Sequence, residues 1–352
     1  MMKAYQVIEF SAPVESREIP TPEPTGTEVL IRVGKAGVCH SDLHIQDGYY
    51  SLGGDTRLDL NERGIKLPRT LGHELYGEIS AAGPDAGDLP MGESRLVYPW
   101  IGCGQCAVCL AGNENICASP QSIGVFCDGA YSDFCLVPHP KYLVDIGDLD
   151  PVVATPYSCS GVTVYSALSK ALPVSSDEWL VIMGAGGLGL NAVAIARAMD
   201  VDNVLVVDID DTKLAAARDM GATAVLNPGQ ADVLDQLQAL TGGGPLAVVD
   251  TVGVETTANL GIAALQKGGR YVIVGLFGGG ITIPLPTLPL RAISILGSYT
   301  GSLTELQALI ELAQSGRVKA LPVSTRPMVQ VSATLDGLRD GKIVGRVVMS
   351  NT

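Results

Sequence analysis

The sequence predicts a two-domain α/β protein, in which an antiparallel, barrel-like β domain precedes a doubly wound domain with a parallel sheet. Residues 1–155 contain short β-like runs separated by Gly and Pro, for example 29–33, 96–98 and 142–144, a pattern typical of antiparallel barrels with long loops. From about residue 178, fully apolar strands alternate with helical segments, which indicates a parallel sheet covered on both faces. A chain of 352 residues is long enough for two such domains.

The alternation in the second domain can be followed element by element. Apolar runs predict its strands at 179–183, 203–207, 224–226, 246–249 and 270–274. Helical periodicity predicts the intervening helices at 190–199, 212–220, 233–240 and 255–266. In the tail, helices at 303–314 and 331–338 precede a strand at 345–349, so we expect the chain to leave the parallel sheet near residue 295. The predicted boundaries are therefore 1–155 with 295–352 for the first domain and 156–294 for the second.

Composition excludes several classes of function. The formal net charge of −14 argues against a nucleic-acid-binding protein, which would need a basic patch. No stretch approaches the roughly 18 consecutive apolar residues of a membrane-spanning helix, so we expect no membrane partner. The N-terminal segment lacks the apolar core and cleavage site of a signal peptide, and we therefore expect a cytoplasmic protein.

Four cysteines cluster within the segment CGQCAVCLAGNENIC. Four thiolates at this spacing can complete a tetrahedral zinc site with no open position, which is typical of a structural site rather than a catalytic one. The eight cysteines of the chain could instead form disulfides, but clustered cysteines in a long chain without a signal peptide more often bind metal. We expect a structural zinc lobe at about residues 100–118, with the ligands Cys103, Cys106, Cys109 and Cys117.

A glycine-rich stretch indicates a dinucleotide-binding site. The sequence GAGGLG follows a predicted strand and opens a predicted helix, the context in which this fingerprint binds a pyrophosphate at the helix N-terminus. Gly184 permits the tight turn, Gly186 lets the backbone approach the phosphates, and Gly189 allows close helix–strand packing.

An acidic residue after the next strand suggests which dinucleotide is bound. Asp208 lies roughly 20 residues beyond the glycines, where a carboxylate can accept hydrogen bonds from an adenosine ribose. The same carboxylate would repel a 2′-phosphate, so the sequence favours NAD over NADP. The alternative interpretation is a glycine-rich turn followed by an ordinary helix-capping Asp.

Three separated residues could form a second metal site. Cys39, His73 and Cys159 together supply a Cys₂His set, which leaves zinc a fourth position for water or substrate. An open zinc polarises a carbonyl oxygen or makes an alcohol proton easier to lose. Residue types and spacing alone leave a simpler alternative open, because a lone Cys is often a small buried hydrophobe. Cys127 and Cys135 have no metal role in this scheme, and we expect both to be core residues.

The chain resembles the zinc-dependent alcohol dehydrogenases of the medium-chain dehydrogenase/reductase superfamily over nearly its whole length. The matching segments, in order, are GVCHSD (37–42), LGHELYGEI (71–79), the four-cysteine lobe, GAGGLG (184–189), DTVG (250–253) and GRVVM (345–349). This resemblance implies a GroES-like catalytic domain, a Rossmann domain, NAD as cofactor and two zinc ions per subunit, one catalytic and one structural. It also implies a homotetramer or a homodimer.

The resemblance implies a role for each matching residue near the metal. Cys39, His73 and Cys159 match the catalytic zinc ligands. Glu74 matches a carboxylate that assists ligand exchange, and Asp42 matches an acid that orients the ligand His. Ser41 matches the hydroxyl that takes the substrate proton, and His44 matches the histidine that passes it to solvent through the cofactor ribose. His44 could otherwise be a solvated surface histidine.

Further positions match residues that bind the cofactor. His40 and Arg346 resemble residues that contact the cofactor phosphate. The other cofactor-binding residues expected from the matching motifs are Gly184, Gly186, Gly187, Leu188, Gly189, Asp208 and Val252.

The sequence departs from the family pattern at residues 48–68, which read as a long polar insertion loop. This loop begins just past the proton relay, so it could overhang the substrate cleft or form a subunit contact. Tyr49, Tyr50 and Trp100 are our candidates for the pocket wall, where aromatic side chains would favour bulky or hydrophobic alcohols.

The function predicted is therefore reversible hydride transfer between a zinc-bound alcohol, secondary or bulky and hydrophobic, and NAD. Polyol, amino-alcohol and aromatic-alcohol dehydrogenases of the same superfamily share these motifs and remain alternatives. A lyase that uses NAD transiently and a zinc-bearing binding protein on the same fold are alternatives from other classes. A zinc ribbon for nucleic acid fits the four cysteines alone but not the net charge.

Overall fold

The computed structural model describes residues 1–172, 174–229 and 232–351. Its strands, in chain order, are β1 (Met2–Val7), β2 (Glu15–Ile19), β3 (Val29–Gly37), β4 (Tyr49–Gly53), β5 (Thr56–Asp59), β6 (Arg69–Thr70), β7 (Glu74–Ala82), β8 (Ser94–Val97), β9 (Phe134–Val137), β10 (Leu143–Val144), β11 (Trp179–Met183), β12 (Asn203–Val207), β13 (Ala224–Leu226), β14 (Ala247–Asp250), β15 (Arg270–Ile273), β16 (Ser294–Gly297), β17 (Val323–Pro327) and β18 (Arg346–Ser350).

The α-helices connect these strands or cover their sheets. In chain order they are α1 (His40–Asp47), α2 (Ala107–Leu110), α3 (Pro151–Ala154), α4 (Ser160–Ala171), α5 (Gly187–Ala198), α6 (Asp211–Met220), α7 (Val233–Leu240), α8 (Glu255–Ala264), α9 (Thr287–Arg291), α10 (Leu303–Gln314) and α11 (Val331–Arg339). Within the described ranges, no helix combines the length and the apolar composition that are needed to cross a bilayer.

The first domain is built around a mostly antiparallel sheet with the strand order β10-β8-β7-β3-β18-β17, and β9 also pairs with β3. A smaller sheet, β2-β1-β6, lies beside it. The strand β18, from the end of the chain, pairs with β3 in the register Val348 to Gly37. This return brings Arg346, at the start of β18, to the same end of the sheet as Cys39 and Glu74.

The second domain contains a six-stranded parallel sheet with the order β13-β12-β11-β14-β15-β16. Strand β11 is buried on both faces, with Leu180, Val181 and Ile182 all fully buried, as expected for a sheet covered by helices on both sides. The strand order changes direction between β11 and β14, and a cofactor binds at the carboxyl ends of strands at such a position. The chain leaves this sheet after Gly297, slightly later than the exit near residue 295 that the sequence predicted.

The predicted polar loop at 48–68 is instead a β-hairpin followed by an anchored segment. Strands β4 and β5 pair with each other and form a separate two-stranded sheet. Gly53 and Gly54 adopt positive φ angles of 98° and 54° at the turn, a conformation that glycine adopts without the usual steric cost. Leu60 and Ile65 are buried and anchor the rest of the segment.

The two remaining cysteines differ in burial. Cys135 is buried, as expected for a core residue, but Cys127 is exposed, so the prediction that it belongs to the core is wrong. Cys127 lies in the segment before β9, where it forms an isolated bridge with Ile123 outside the strands of the barrel.

Candidate active site

The three residues expected to hold the catalytic metal come together from three parts of the chain. Cys39 immediately precedes α1, His73 immediately precedes β7, and Cys159 immediately precedes α4. The Cys39 and Cys159 Sγ atoms are 3.9 Å apart, and His73 Nε2 is 3.2 Å from Cys159 Sγ. With one oxygen of Glu74, the ligand atoms all lie within 4.8 Å of one another, and all four residues are buried. Two thiols and one imidazole are the donor set of a catalytic zinc site, so these residues fit the metal.

Asp42 fixes the orientation of the ligand histidine. Its Oδ1 atom lies 3.2 Å from His73 Nδ1, which leaves Nε2 directed towards the cysteines. Its Oδ2 atom accepts hydrogen bonds from the Cys39 N–H (2.9 Å) and from the Tyr131 hydroxyl (2.8 Å). Tyr131 could not be identified from the sequence, because a tyrosine far from the motifs carries no signal of this contact. A carboxylate that lies beside a metal-binding imidazole and accepts from the backbone of a second ligand preorganises the site.

Glu74 and Arg346 form a buried ion pair between the metal site and the cofactor groove. Burial raises the pKa of the Glu74 carboxyl to about 7, although the Arg346 guanidinium acts in the opposite direction. The second carboxylate oxygen, Oε2, has no hydrogen-bond partner among the described residues. A Cβ atom at Gly187 would lie 2.6 Å from Arg346 Cδ, so the glycine-rich turn packs directly on this arginine. The ion pair therefore connects the metal site with the glycine-rich turn.

The four clustered cysteines surround one point in the lobe at residues 100–118. Neighbouring Sγ atoms are 3.5 Å apart for Cys106 and Cys109, 3.8 Å for Cys106 and Cys117, and 3.9 Å for Cys103 and Cys109. The backbone N–H groups of Cys103 and Ser119 each donate to Cys117 Sγ at 3.3 Å. Four thiols with backbone donors and no open side fit a structural zinc ion.

A buried carboxylate, which the sequence did not reveal, fastens this lobe to the barrel. Glu114 accepts hydrogen bonds from the Gly102 N–H (3.0 Å), the Tyr142 hydroxyl (2.7 Å) and Lys141 Nζ (2.6 Å). These contacts hold the lobe against β10 and its preceding turn. A glutamate among cysteines carries no local pattern that would distinguish it from a solvated residue.

The cofactor groove, about 520 Å³ in volume, lies along the carboxyl ends of β11, β12 and β14. Gly184 has a φ of 93°, and a Cβ there would lie 2.6 Å from Val252 Cγ2, so the turn requires glycine. Asp208 Oδ2 accepts a hydrogen bond from the Ala185 N–H at 2.7 Å, which ties the acidic residue to the glycine-rich turn. Eight of the nine expected cofactor-binding residues line this groove: His40, Gly184, Gly186, Gly187, Leu188, Asp208, Val252 and Arg346.

The ninth residue, Gly189, lies behind the groove, where a Cβ would collide with the carbonyl of Gly184. It therefore has the packing role that the fingerprint gives it. Lys213 and Phe277 also line the groove, and both were missed. The Phe277 ring is 5.1 Å from the His40 ring in an edge-to-face arrangement.

A small cavity of about 120 Å³ connects the metal site with the cofactor groove. Ser41 and His44, the two residues expected to relay the proton, both line it from α1. Burial lowers the pKa of His44, so its neutral form predominates at neutral pH. The His44 ring centroid lies 4.8 Å from that of Tyr50. Trp100 forms the opposite wall, held by a hydrogen bond from its Nε1 to the Ser158 carbonyl (3.0 Å).

This catalytic cavity opens into a larger outer cavity of about 630 Å³. The outer cavity lies between the insertion hairpin, the zinc lobe and the parallel-sheet domain. Its lining is mostly apolar and includes Tyr50, Leu58, Leu60, Ile116, Leu276 and Tyr299. The insertion at 48–68 therefore forms a wall of the cleft.

One of the three predicted pocket residues is wrong. Tyr50 and Trp100 line the catalytic cavity, but Tyr49 lines neither cavity. Instead, the Arg57 guanidinium lies over the Tyr49 ring, 4.0 Å from its centroid. Neighbouring residues of a strand point to opposite faces, so when Tyr50 faces the cleft Tyr49 must face away from it.

An open Cys₂His metal site beside a glycine-rich dinucleotide groove, with a closed Cys₄ site nearby, defines a class of metal-dependent oxidoreductases. The model of the alcohol dehydrogenase GroES-like domain matches residues 25–148, and that of the zinc-binding dehydrogenase domain matches residues 187–315. The chain belongs to the zinc-dependent alcohol dehydrogenases of the medium-chain dehydrogenase/reductase superfamily, and the expected fold class is confirmed.

Individual relatives match the chain from end to end. It is 37% identical to an NAD-dependent alcohol dehydrogenase of Sulfurisphaera tokodaii, over 99% of each chain. Among solved structures, the alcohol dehydrogenase of Aeropyrum pernix superposes with a TM-score of 0.89, with 29% identity and 99% of each chain covered. An acetophenone reductase from Geotrichum candidum, solved in complex with NAD, has a TM-score of 0.86 and 28% identity, covering 99% of this chain and 97% of that chain.

Proposed function

We propose that the chain catalyses the reversible oxidation of a bulky or hydrophobic alcohol, including secondary alcohols, with NAD as hydride acceptor. Its family membership makes it an NAD-dependent oxidoreductase. The observation that carries the substrate proposal is the apolar outer cavity of about 630 Å³, which opens directly onto the small catalytic cavity. Apolar cavities of this size bind ligands through burial of hydrophobic surface.

The residues at the metal site can be given separate tasks. Zinc held by Cys39, His73 and Cys159 supplies Lewis acidity, which makes the alcohol proton easier to lose. Asp42 keeps His73 in one tautomer and one orientation. We also infer a second zinc at the four clustered cysteines, and therefore two zinc ions per chain.

The cofactor-binding residues position the hydride acceptor. Gly186, Gly187 and Leu188, at the start of α5, line the groove, so their N–H groups can bind a pyrophosphate. Asp208 lines the same groove and can accept from a ribose hydroxyl. Phe277 packs edge-to-face on His40, and both side chains line the groove and the catalytic cavity. An aromatic ring at this junction displaces water, which strengthens electrostatic interactions there.

The ribose contact can be tested by replacing Asp208 with Asn. We expect the KM for NAD to rise by about tenfold or more, because a hydrogen bond to a charged group contributes roughly 1.5–3 kcal/mol. The KM for NADP should change much less, because the lost charge also removes a repulsion. Steady-state kinetics with both cofactors measures the change. Asp210→Asn is the matched control, since Asp210 caps α6 two residues further on; an equal loss in both variants would contradict the assignment.

The proton relay predicts a dependence on His44. Burial lowers the pKa of His44, with Asp47 and Cys39 raising it and Arg339 lowering it further. Above that pKa the neutral imidazole can accept a proton, so alcohol oxidation should fall as the pH falls through it. We expect His44→Gln to reduce turnover by roughly 10-fold to 100-fold and to remove this inflection from the pH profile.

The control for this variant is His139→Gln, because His139 is exposed and lies in the turn before β10. Turnover and the pH profile should be unchanged there. A His44→Gln enzyme that retained native turnover across the pH range would rule out the relay.

The substrate class is tested by following NADH absorbance with primary, secondary, cyclic and aromatic alcohols. We expect kcat/KM to rise with apolar size until the outer cavity is filled. Production of no NADH with any of these alcohols would instead favour a lyase or a binding protein. A preference for small polyols would contradict the hydrophobic assignment.

Assembly and location remain predictions from the sequence. A homodimer or homotetramer is supported by exposed Leu285 and Leu290 in the segment that leads to the edge strand β16, and light scattering would measure it. The cytoplasmic location expected from the sequence likewise remains a prediction.

A further inference from the structure

One hydroxyl group in the catalytic cavity has no partner. Thr300 lines this cavity and is only 6% exposed. Its Oγ1 atom is buried and has no hydrogen-bond partner in the described part of the chain. A buried hydroxyl without a partner is unfavourable. Such a group at the wall of a ligand cavity therefore indicates that a ligand atom completes its hydrogen bonding.

The backbone at Thr300 supports this interpretation. Its φ is 46°, in the left-handed region, where a β-branched residue is rarely found. Residues are held in such conformations where the surrounding structure fixes them, and they concentrate at ligand sites. The residues on both sides are fixed by contacts from three separate elements. These contacts run from Lys170 Nζ to Ser298 Oγ (2.8 Å), from Asn115 Nδ2 to the Tyr299 carbonyl (3.0 Å) and from the Tyr98 hydroxyl to the Gly301 carbonyl (2.8 Å).

The position of Thr300 indicates which ligand it faces. The catalytic cavity and the cofactor groove share the lining residues His40, Leu188, Thr251 and Phe277, so a ligand in the groove can continue into the cavity. Thr300 follows β16, at the carboxyl edge of the same parallel sheet that carries the glycine-rich turn. The reacting end of a nicotinamide dinucleotide is a pyridine ring with one polar substituent, a carboxamide. A small cavity that contains an unpaired hydroxyl matches that substituent.

We propose that the Thr300 hydroxyl hydrogen-bonds the carboxamide of the nicotinamide and thereby fixes the rotation of the ring beside the metal site. This inference rests on the proposed NAD-dependent function. It assigns a cofactor-binding role to a side chain outside the glycine-rich fingerprint and outside the metal ligands. The hydroxyl can donate to the amide oxygen or accept from the amide nitrogen, and either arrangement satisfies it.

Two variants and two ligands test the assignment. Thr300→Val keeps the β-branched shape and removes the hydroxyl, whereas Thr300→Ser keeps the hydroxyl. Dissociation constants are measured for NADH by its fluorescence and for ADP-ribose, which lacks the nicotinamide, by displacement of NADH or by calorimetry. We expect Thr300→Val to bind NADH about fivefold to tenfold more weakly, the effect of one hydrogen bond. ADP-ribose binding should be unchanged in both variants, and Thr300→Ser should bind NADH like the native protein.

Three results would overturn the assignment. Equal weakening of NADH and ADP-ribose would indicate a general distortion of the groove. Unchanged NADH binding with a raised KM for the alcohol would show that the hydroxyl faces the substrate instead. Native NADH affinity and native KM values in Thr300→Val would show that the hydroxyl contacts neither ligand. Failure of the proposed function would be distinguishable from these results, because the native protein itself would then either not bind NADH or produce none from any alcohol.

Discussion

Replacing Cys39 with Ala is expected to reduce turnover by at least about a thousandfold while the chain stays folded. Cys39 supplies one of the three ligands of the open site, and its loss leaves His73 and Cys159 to bind the metal alone. Lewis-acid stabilisation by a bound metal contributes several kcal/mol to the transition state, and about 4 kcal/mol corresponds to a thousandfold in rate. Zinc content, measured by atomic emission, should fall from about two ions per chain to about one.

The control for this variant is Cys127→Ala, because Cys127 is exposed and belongs to neither metal cluster. It should retain two zinc ions and native turnover. Circular dichroism and NADH binding would establish that the Cys39→Ala protein is folded. A second measurement needs no variant: turnover of the native protein is followed after its metal is removed with a chelator and again after zinc is added back. Native turnover in Cys39→Ala would exclude the open site from the mechanism, and a zinc content near one in the native chain would contradict the two-site proposal.

The second large effect is expected at the four-cysteine lobe, and it is mainly an effect on stability rather than on turnover. Replacing Cys109 with Ser should release the lobe's zinc and lower the midpoint of thermal unfolding by roughly 10 °C. That shift corresponds to several kcal/mol for a chain of this size. The buried Glu114 contacts would remain and would hold part of the lobe to the barrel. The fold should therefore lose stability without losing its topology.

The lobe variant should also change substrate selectivity. Asn115 and Ile116 belong to the lobe and line the outer cavity, whereas the catalytic cavity is lined by neither. We expect the KM for a bulky alcohol to rise severalfold, with the turnover of a small alcohol within about twofold of native. Differential scanning fluorimetry and kinetics with two alcohols measure both effects. Loss of all activity at unchanged stability would show that the lobe has a catalytic rather than a structural role.

The sequence was most informative where a local pattern carries the structure. Strands β11, β12 and β13 and helices α7 and α10 begin and end where the apolar runs and periodicity placed them. The glycine-rich turn could be located because only glycine permits the positive φ at Gly184 and the contact at Gly189. These features depend on neighbouring residues in the chain, so they can be derived without knowledge of tertiary contacts.

The insertion at 48–68 shows where local patterns fail. Its two short strands, YYSLG and TRLD, mix aromatic, polar and apolar residues without strict alternation, so no period-two signal distinguishes a hairpin from a loop. The hairpin is held by contacts with distant segments. A Cβ at Gly278 would collide with the Ser51 carbonyl, which places the hairpin against the loop after β15. Because this strand was not detected, the sequence could not show that Tyr49 and Tyr50 face opposite sides of it. Tyr49 was therefore wrongly assigned to the pocket together with Tyr50.

By itself, the sequence determined the class of fold, the four-cysteine metal site and the dinucleotide groove, because each depends on residue types at short spacings along the chain. The ligands of the open metal site, which are far apart in sequence, followed only from the resemblance of several motifs to the family. Only the tertiary structure decided that Cys39, His73 and Cys159 converge within bonding distance of one metal. It alone joined Glu114 of the lobe to Lys141 and Tyr142, made the insertion a wall of the cleft, and left the Thr300 hydroxyl unpaired in the catalytic cavity. Such contacts join residues distant in sequence, and their energies depend on burial and distance, which the order of residues along a chain does not express.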